Sequence, residues 1–412
     1  MIRFPPQFRA VLCTGVIVLG AAAPAAAQVG EDPAAFSGLG LEGSLLTPLT
    51  PSTGSHGQSV PRDDQVARFA LTLRGQYTIS GENREFTVSA IPQAEIRYSD
   101  ARLDVEAGAS VEFAHDFSDD PRFVALDVAG EAGYALDRTT RVSAEGTVRL
   151  EQEDARSSRA LPTGPMTAPL AFTGDLGVSV THTMGSAGVT LMAGAAHETM
   201  TDADIPSRQE DARTDATLGL RLGQELAPAL VGFVAGEVTR SVYETAEADA
   251  WHYAASAGLA TQWRQFSGEI QAGSGWRDFD APDLTDTQNL FFAASLAYLP
   301  TANLSLRAGY TSNVLPFVDT ESGRDARQQS VALEAVYEAS SWLGLSADAS
   351  YLWELDADGG FAYERYTAGL GADVTWFPHA TISAGYSFSA TNPAPVTGGN
   401  EHRLMLGVTL LR

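Results

Sequence analysis

Apolar and polar residues alternate along most of the chain from residue 68 to the C-terminus, in runs of roughly ten to fourteen residues. Between residues 86 and 98, for example, every second position from Phe86 to Tyr98 is aliphatic, aromatic or proline, whereas most positions between them are polar, such as Glu95 and Arg97. A period of two residues places the two sets on opposite faces of a β-strand. The pattern therefore predicts strands with one apolar and one polar face.

We count about eighteen such segments, with sixteen as the lower bound. The first spans residues 69–79 and the last 404–410. Connections that follow odd-numbered segments are long, as at 198–212, whereas those that follow even-numbered segments are brief, as at 377–379. Long loops on one side and short turns on the other are typical of bacterial outer-membrane barrels, in which the short turns face the periplasm.

The length of the segments separates this pattern from that of a soluble sheet. Strands of soluble proteins average about 5–6 residues, whereas strands that cross a membrane need about 9–11. Aromatic rings settle at a lipid–water boundary, and here they recur near segment ends: Tyr77, Phe86, Tyr98, Phe113, Phe123, Tyr134, Trp251, Trp263, Trp276, Tyr298, Tyr310, Tyr337, Trp353, Trp376 and Phe388. The sequence predicts an all-β fold, a transmembrane antiparallel up-and-down β-barrel over residues 67–412, rather than a β-sandwich or propeller.

The N-terminal part differs from the rest in composition. Arginines precede an apolar run over residues 10–23, and an A-x-A site ends at Ala27, before Gln28. These features indicate a secretory signal peptide over residues 1–27 that is cleaved between Ala27 and Gln28. Residues 28–66 are rich in proline, glycine and serine, so we expect a flexible periplasmic segment; a short plug or docking segment is the alternative.

Charge and residue types exclude several functions. The formal net charge is −25, which would repel nucleic acid. All 26 basic residues are arginines, so no P-loop or Schiff-base lysine is available. The only cysteine, Cys13, lies in the signal peptide, and the mature chain can form no disulfide. No G-x-S-x-G or H-E-x-x-H motif is present, which leaves a Ser–His pair assembled across strands as the enzymatic alternative.

The polar side of each segment supplies predicted pore-lining residues. The acidic ones are Asp104, Glu106, Glu112, Glu131, Glu145, Asp215, Glu237, Glu269, Glu334, Asp348 and Asp373. The basic ones are Arg74, Arg97, Arg149, Arg221, Arg277, Arg307 and Arg403. A barrel of this size encloses an aqueous channel, in which rings of charge set ion preference. The acidic excess predicts a weak preference for cations; the alternative is that these groups only form salt bridges between strands.

Two further features bear on possible ligands. Few aromatic residues fall on the inner side, where Phe233 and Phe291 are the best candidates, and we find no stacking track for a sugar. The long connections are rich in acids, which either bind divalent cations or are simply solvated; these are Asp116, Asp119, Asp120, Glu198, Asp202, Asp204, Glu210, Asp211, Asp278, Asp280, Asp283 and Asp286. We expect solvated loops, and neither a metal nor a cofactor.

Two turns share a motif. Residues 298–305 (YLPTANLS) and 376–383 (WFPHATIS) each contain an aromatic residue, a proline and a following serine, and both lead into a strand that reaches Gly-Tyr. We expect the proline to end the preceding strand. Together with residues 275–282 (GWRDFDAP), these motifs resemble the second putative β-barrel porin family of proteobacterial outer-membrane proteins, over residues 68–412. The resemblance implies an outer-membrane barrel, and some members of that family are associated with exopolysaccharide export.

The leading hypothesis is a porin-like passage for hydrophilic solutes in the outer membrane of a Gram-negative bacterium, with a link to exopolysaccharide export implied by the resemblance. A structural or surface-interaction barrel without transport and an outer-membrane enzyme are the alternatives. Expected partners are outer-membrane lipid and lipopolysaccharide, the barrel-assembly machinery, and polysaccharide or small hydrophilic solutes. The C-terminal Arg412 departs from the aromatic residue that many outer-membrane proteins present to that machinery.

Overall fold

The computed structural model describes residues 66–81, 83–115, 122–152, 170–201, 212–244, 249–281, 287–315, 326–355, 361–392 and 400–412. The strands are β1 (Val66–Ser80), β2 (Asn83–Ser99), β3 (Leu103–His115), β4 (Arg122–Ala135), β5 (Thr140–Gln152), β6 (Leu170–Met184), β7 (Ala187–Thr201), β8 (Arg213–Ala227), β9 (Leu230–Tyr243), β10 (Ala250–Trp263), β11 (Phe266–Phe279), β12 (Thr287–Thr301), β13 (Leu304–Leu315), β14 (Ala326–Ser340), β15 (Leu343–Leu355), β16 (Phe361–Phe377), β17 (Ala380–Asn392) and β18 (Asn400–Leu411). Among these residues no helix is long and apolar enough to cross a membrane.

The eighteen strands form one closed sheet. Each strand pairs antiparallel with its neighbours in sequence, and β1 pairs with β18. The Oγ1 atoms of Thr72 and Thr409 lie 2.8 Å apart across this closing pair, and the backbone N–H of Arg412 donates to the carbonyl of Phe69 at 2.9 Å. Closure leaves no edge strand with unpaired backbone groups. The predicted eighteen-stranded up-and-down barrel is confirmed, and β18 closes it although its end is not aromatic.

The strands are long enough to span a bilayer. The shortest, β13 and β18, have 12 residues, and the longest, β2 and β16, have 17. A tilted membrane strand needs about 9–11 residues. All strands therefore extend past the length that the hydrocarbon core requires.

Ion pairs that skip strands identify the inner face of the sheet. Arg74 on β1 contacts Glu112 on β3, and Arg221 on β8 contacts Glu269 on β11. Side chains can reach past intervening strands in this way only on the concave side of a closed sheet. The opposite face holds large exposed apolar residues, such as Leu73 beside Arg74. The apolar side of the alternation is thus the outer surface.

The outer surface has aromatic residues near both ends of the strands. Near the short turns, exposed rings belong to Tyr98, Tyr134, Trp263, Tyr298, Tyr337 and Trp376. Near the long connections they belong to Phe86, Phe113, Trp251 and Trp276. Two such belts separated by aliphatic residues are typical of a protein that spans a bilayer.

The connection between β1 and β2 is short, whereas the sequence predicts long connections after odd-numbered strands. β1 ends at Ser80 and β2 begins at Asn83, so only two residues join them although they follow an odd-numbered strand. Gly81 has a φ of 59°, which a residue without a Cβ adopts readily in a two-residue hairpin turn. The glycine thus permits a tight turn at the end where the other connections are long.

The two proline turns also differ from each other. Pro378 follows the end of β16 at Phe377, as predicted, but Pro300 lies inside β12, which continues to Thr301. The register between β12 and β13 shifts between Tyr298 and Thr301. At such an irregularity the missing N–H of a proline removes no regular ladder hydrogen bond, so the expectation that Pro300 ends its strand was wrong.

Several predictions concern residues outside the described ranges. They include the signal peptide, its cleavage between Ala27 and Gln28, and residues 28–65 of the expected flexible segment 28–66, whose last residue, Val66, begins β1. Most of the acidic positions in the long connections also lie outside, namely Asp116, Asp119, Asp120, Asp202, Asp204, Glu210, Asp211, Asp283 and Asp286.

Candidate functional site on the inner face of the barrel

The structure places the predicted pore-lining residues on the inner face. All eighteen lie within described strands, on the same side of the ladder as the two ion pairs that skip strands. Their neighbours across the ladder are mostly small or polar, as where Glu145 lies opposite Gly177 and Asp373 opposite Ser383. The inner wall therefore combines charged groups with little steric bulk.

Most of the predicted arginines pair with a carboxylate. Arg74 contacts Glu112 at 2.5 Å, and Arg97 contacts Glu106 at 2.7 Å. The remaining pairs are Arg149 with Glu151 at 2.9 Å, Arg221 with Glu269 at 2.7 Å, Arg307 with Glu334 at 3.4 Å, and Arg403 with Glu401. Each pair cancels one positive charge of the inner wall.

Several of these partners were missed by sequence reasoning. Glu151 lies two residues after Arg149 on the same strand, and Glu401 lies two residues before Arg403. Arg213 pairs with Asp215 in the same way, at 2.5 Å. Residues at i and i+2 share one face of a strand. An oppositely charged residue two positions away was therefore the signal that could have found them.

Some inner carboxylates have no arginine partner. Glu106, Glu131 and Glu145 lie in register on β3, β4 and β5, and Arg97 pairs with the first of them. Within the described strands, Glu131 forms no salt bridge. Asp348 and Asp373 likewise form none with any described arginine. The uncompensated charge of the described inner wall is thus negative.

One inner arginine is deeply buried against an aromatic ring. The Arg221 side chain is 1% exposed. Its guanidinium carbon lies 3.6 Å from the ring centroid of Phe233, which is itself 4% exposed. Glu269 accepts hydrogen bonds from both terminal nitrogens of Arg221, at 3.1 and 2.7 Å. Three side chains from β8, β9 and β11 thus form one packed cluster on the wall.

Two inner phenylalanine rings lie across glycines of neighbouring strands. A Cβ placed on Gly258 would lie 2.8 Å from Cε1 of Phe233, and a Cβ on Gly273 would lie 2.7 Å from Cε1 of Phe291. Such distances are too short for real Cβ atoms. Each ring therefore lies against the wall over a glycine, where any larger residue would displace it.

Four inner aromatic residues are grouped on nearby strands. Tyr243 ends β9 and Phe279 ends β11, and Arg277 connects them. The hydroxyl of Tyr243 accepts a hydrogen bond from Arg277 at 3.1 Å, and the guanidinium carbon of Arg277 lies 4.6 Å from the ring centroid of Phe279. With Phe233 and Phe291, four inner aromatic residues belong to β9, β11 and β12. Sequence reasoning found Phe233 and Phe291 but not the other two, because the order of strands around the barrel was needed to group them.

A turn at the short-turn end has a carboxyl group with a shifted pKa. Asp137 Oδ1 accepts hydrogen bonds from the backbone N–H groups of Thr139 and Thr140, at 2.7 and 2.8 Å, and from the hydroxyl of Thr139 at 2.7 Å. These bonds favour the ionised form and lower the pKa of Asp137 from 3.8 to about 2. The carboxylate closes the connection between β4 and β5.

No metal-binding group is evident in the part of the chain that the structure describes. Among those residues, no three His, Cys, Asp or Glu side chains are grouped so that they could hold a metal ion.

A comparison of the sequence with protein families finds a match to the family described as Putative beta-barrel porin 2, over residues 71–412. The chain belongs to this family. It is a porin-like outer-membrane β-barrel, as the motifs around the two proline turns predicted. The matched range includes the last ten residues of β1 and every later strand.

Solved structures that resemble this porin-like barrel have low sequence identity to it. The siderophore receptor PirA from Pseudomonas aeruginosa has a TM-score of 0.46 and 10% identity, covering 85% of this chain and 81% of the receptor. OccK2 (OpdF) from Pseudomonas aeruginosa, in complex with glucuronate, has a TM-score of 0.45 and 11% identity, covering 84% and 98%. The outer membrane protein OpdK from the same organism has a TM-score of 0.44 and 12% identity, covering 84% and 99%. No curated protein matches the sequence.

Proposed function

We propose that this barrel is a passage for small hydrophilic solutes across the outer membrane, with a preference for cations. The supporting observation is the charge of the inner wall. Most of its predicted arginines pair with carboxylates, whereas Glu131, Asp348 and Asp373 form no salt bridge among the described residues. Unpaired carboxylates in a channel attract cations and repel anions.

The size of the barrel supports passage. Barrels of 16–18 strands leave an aqueous channel, unlike eight-stranded barrels, whose interiors are filled by side chains. Near the short-turn end of β13, the side chain of Arg307 is 66% exposed on the inner face, so water reaches the wall there.

The proposal includes an orientation and a set of partners. The short turns lie in the periplasm, and the long connections lie outside the cell. The two aromatic belts contact outer-membrane lipid and lipopolysaccharide, and the barrel-assembly machinery inserts the chain after cleavage before Gln28. Passage, not catalysis, is the proposed activity. The proposal does not extend to exopolysaccharide export, because no described residue distinguishes an exported polymer from a small solute.

Planar-bilayer recording tests the proposal. Purified protein should give discrete conductance steps, and a potassium chloride gradient should give a reversal potential that indicates cation preference. The triple variant E131Q/D348N/D373N should shift that potential toward zero. D278N is the control for position, because it removes one carboxylate of the same kind from the outer side of β11. This control should leave the reversal potential unchanged.

Two results would contradict the proposal. The first is the absence of conductance steps together with the absence of liposome swelling in small sugars or amino acids. That result would favour a structural or surface-interaction barrel. The second is conductance with anion preference, which would show that the unpaired carboxylates do not set the selectivity.

A further inference from the structure

Phe233 and Glu269 together bind a cation that belongs to the chain itself, the guanidinium group of Arg221. The ring of Phe233 lies against Gly258, with Cζ and Cε1 nearest to the position of a Cβ on that glycine. The guanidinium carbon of Arg221 lies over the same ring, 3.6 Å from its centroid, and Glu269 accepts two hydrogen bonds from that guanidinium. An aromatic face and a carboxylate thus hold a planar cation against the inner wall.

Phe291 repeats half of this arrangement without an internal cation. Its ring lies over Gly273 on β11, as that of Phe233 lies over Gly258 on β10, and each glycine is directly opposite its phenylalanine in the ladder. Phe291 is half-buried. Among the described residues no cation and no other ring stacks on it. Part of its side chain is accessible on the inner face of the barrel.

An acidic group lies on the same stretch of wall. Glu237 on β9 is opposite Ala254 on β10, which is opposite Gly275 on β11, two residues from Gly273. Glu237 forms no salt bridge with any described arginine. Arg277 lies on the same stretch, two residues beyond Gly275, so the charges of Glu237 and Arg277 offset each other and the attraction for a cation rests on the ring itself.

We infer that the inward face of Phe291 binds planar organic cations of the guanidinium class as they pass through the barrel. This inference rests on the proposed passage function and names its preferred solutes. A ring face attracts a cation through its quadrupole, and a weakly hydrated guanidinium stacks on it more readily than a strongly hydrated ammonium or sodium ion. The contact between Arg221 and Phe233 shows the same geometry within this chain.

Block of single channels by methylguanidinium tests the inference. With sodium chloride on both sides, methylguanidinium in the millimolar range should reduce the sodium current of the unmodified protein. The variant F291L keeps an apolar side chain but removes the ring. It should raise the half-blocking concentration roughly 2- to 30-fold, the range that loss of one cation–π contact allows.

Three controls distinguish the loss of binding to the Phe291 ring from a general change in folding or insertion. Phe292 is the next residue and is exposed on the outer face, so methylguanidinium should block F292L as it blocks the unmodified protein. F291W keeps a ring of greater cation affinity and should retain or strengthen the block. Unchanged sodium conductance in F291L would show that this variant still folds and inserts.

The outcomes distinguish the two proposals. Sodium current without block by methylguanidinium, or block that F291L leaves unchanged, would overturn the inference and leave the passage function standing. Ring-dependent block by glucose but not by methylguanidinium would also overturn it, because it would assign the face to sugars. A silent barrel would defeat the passage function. Saturation-transfer NMR of methylguanidinium on the solubilised barrel would then still decide whether F291L loses binding.

Discussion

Glu269 on β11 reaches past β10 and β9 and binds Arg221 on β8 through both of its carboxylate oxygens, at 2.7 and 3.1 Å. The arginine side chain is 1% exposed, and the glutamate side chain is 16% exposed. The pair links β8 to β11 across the inner face, past the two strands between them. The pair also places the positive charge of Arg221 where water has little access. Each of the two charges therefore needs the other to offset the cost of its burial.

The first prediction concerns this pair. E269Q should destabilise the barrel by about 3 kcal/mol, because it leaves the buried Arg221 charge without its counter-ion. The temperature at which the compact band on a gel converts to the unfolded band measures the loss. E334Q is the control, since its partner Arg307 is largely exposed, and it should cost about 0–1 kcal/mol. Equal losses in the two variants would contradict the prediction.

A double variant distinguishes the loss of charge pairing from the loss of packing. R221M/E269L removes both charges and keeps apolar side chains of similar length. Replacing a buried ion pair by apolar residues is often neutral or stabilising, so the double variant should be more stable than E269Q alone. If it is less stable than E269Q, packing rather than charge explains the loss.

The second prediction concerns the glycines beneath the two rings. G273A and G258A should each destabilise the barrel by about 1–3 kcal/mol, because the new methyl group overlaps both a phenylalanine ring and a backbone carbonyl of a neighbouring strand. G309A is the control: it is also a strand glycine, but a Cβ added there would meet nothing within 4 Å, and surface-like substitutions change stability by only about 0.5 kcal/mol. Chemical unfolding in detergent measures the free energy of unfolding of all three variants. An equal loss of stability in G309A would contradict the prediction.

The alternation of apolar and polar residues, together with the long and short connections between strands, predicted the fold well. Period-two patterning is a local property, and it placed Arg74 on the inner side and Leu73 on the outer side. Even the closing strand was predicted despite Arg412, because its alternation persists to Leu410. The tight turn at Gly81 and the continuation of β12 through Pro300 were not predicted, since both depend on the local backbone conformation.

For the site, the sequence predicted which residues face the inside of the barrel but not which of them contact each other. The sequence places Phe291 and Gly273 on inner faces, but only the register of β11 against β12 puts one over the other. The partner of Arg221 is 48 positions away on a strand that is not adjacent. Such contacts depend on the curvature of the whole barrel, which a repeat of two residues does not specify.

The third prediction concerns pH. The folded pKa of Asp137 is about 2, below the value of 3.8 for a free carboxyl group. The stabilising effect of its ionised form is therefore fully present above about pH 4 and is lost as the pH falls toward 2. D137N should unfold at a lower temperature than the unmodified barrel at pH 7, and the difference should shrink between pH 4 and pH 2. A difference that persists unchanged at pH 2 would show that ionisation is not its cause.

The fourth prediction is chemical rescue at Arg221. R221A removes the guanidinium but leaves the inward face of Phe233 and the Glu269 carboxylate, which together match a planar cation. Low millimolar methylguanidinium should therefore raise the unfolding temperature of R221A, because a ligand that binds only the folded state stabilises it. Urea at the same concentration has similar shape but no charge and should not. The variant R221A/E269Q should lose the rescue, since the cation then has no counter-ion; rescue that survives in this double variant would show that Glu269 does not hold the cation.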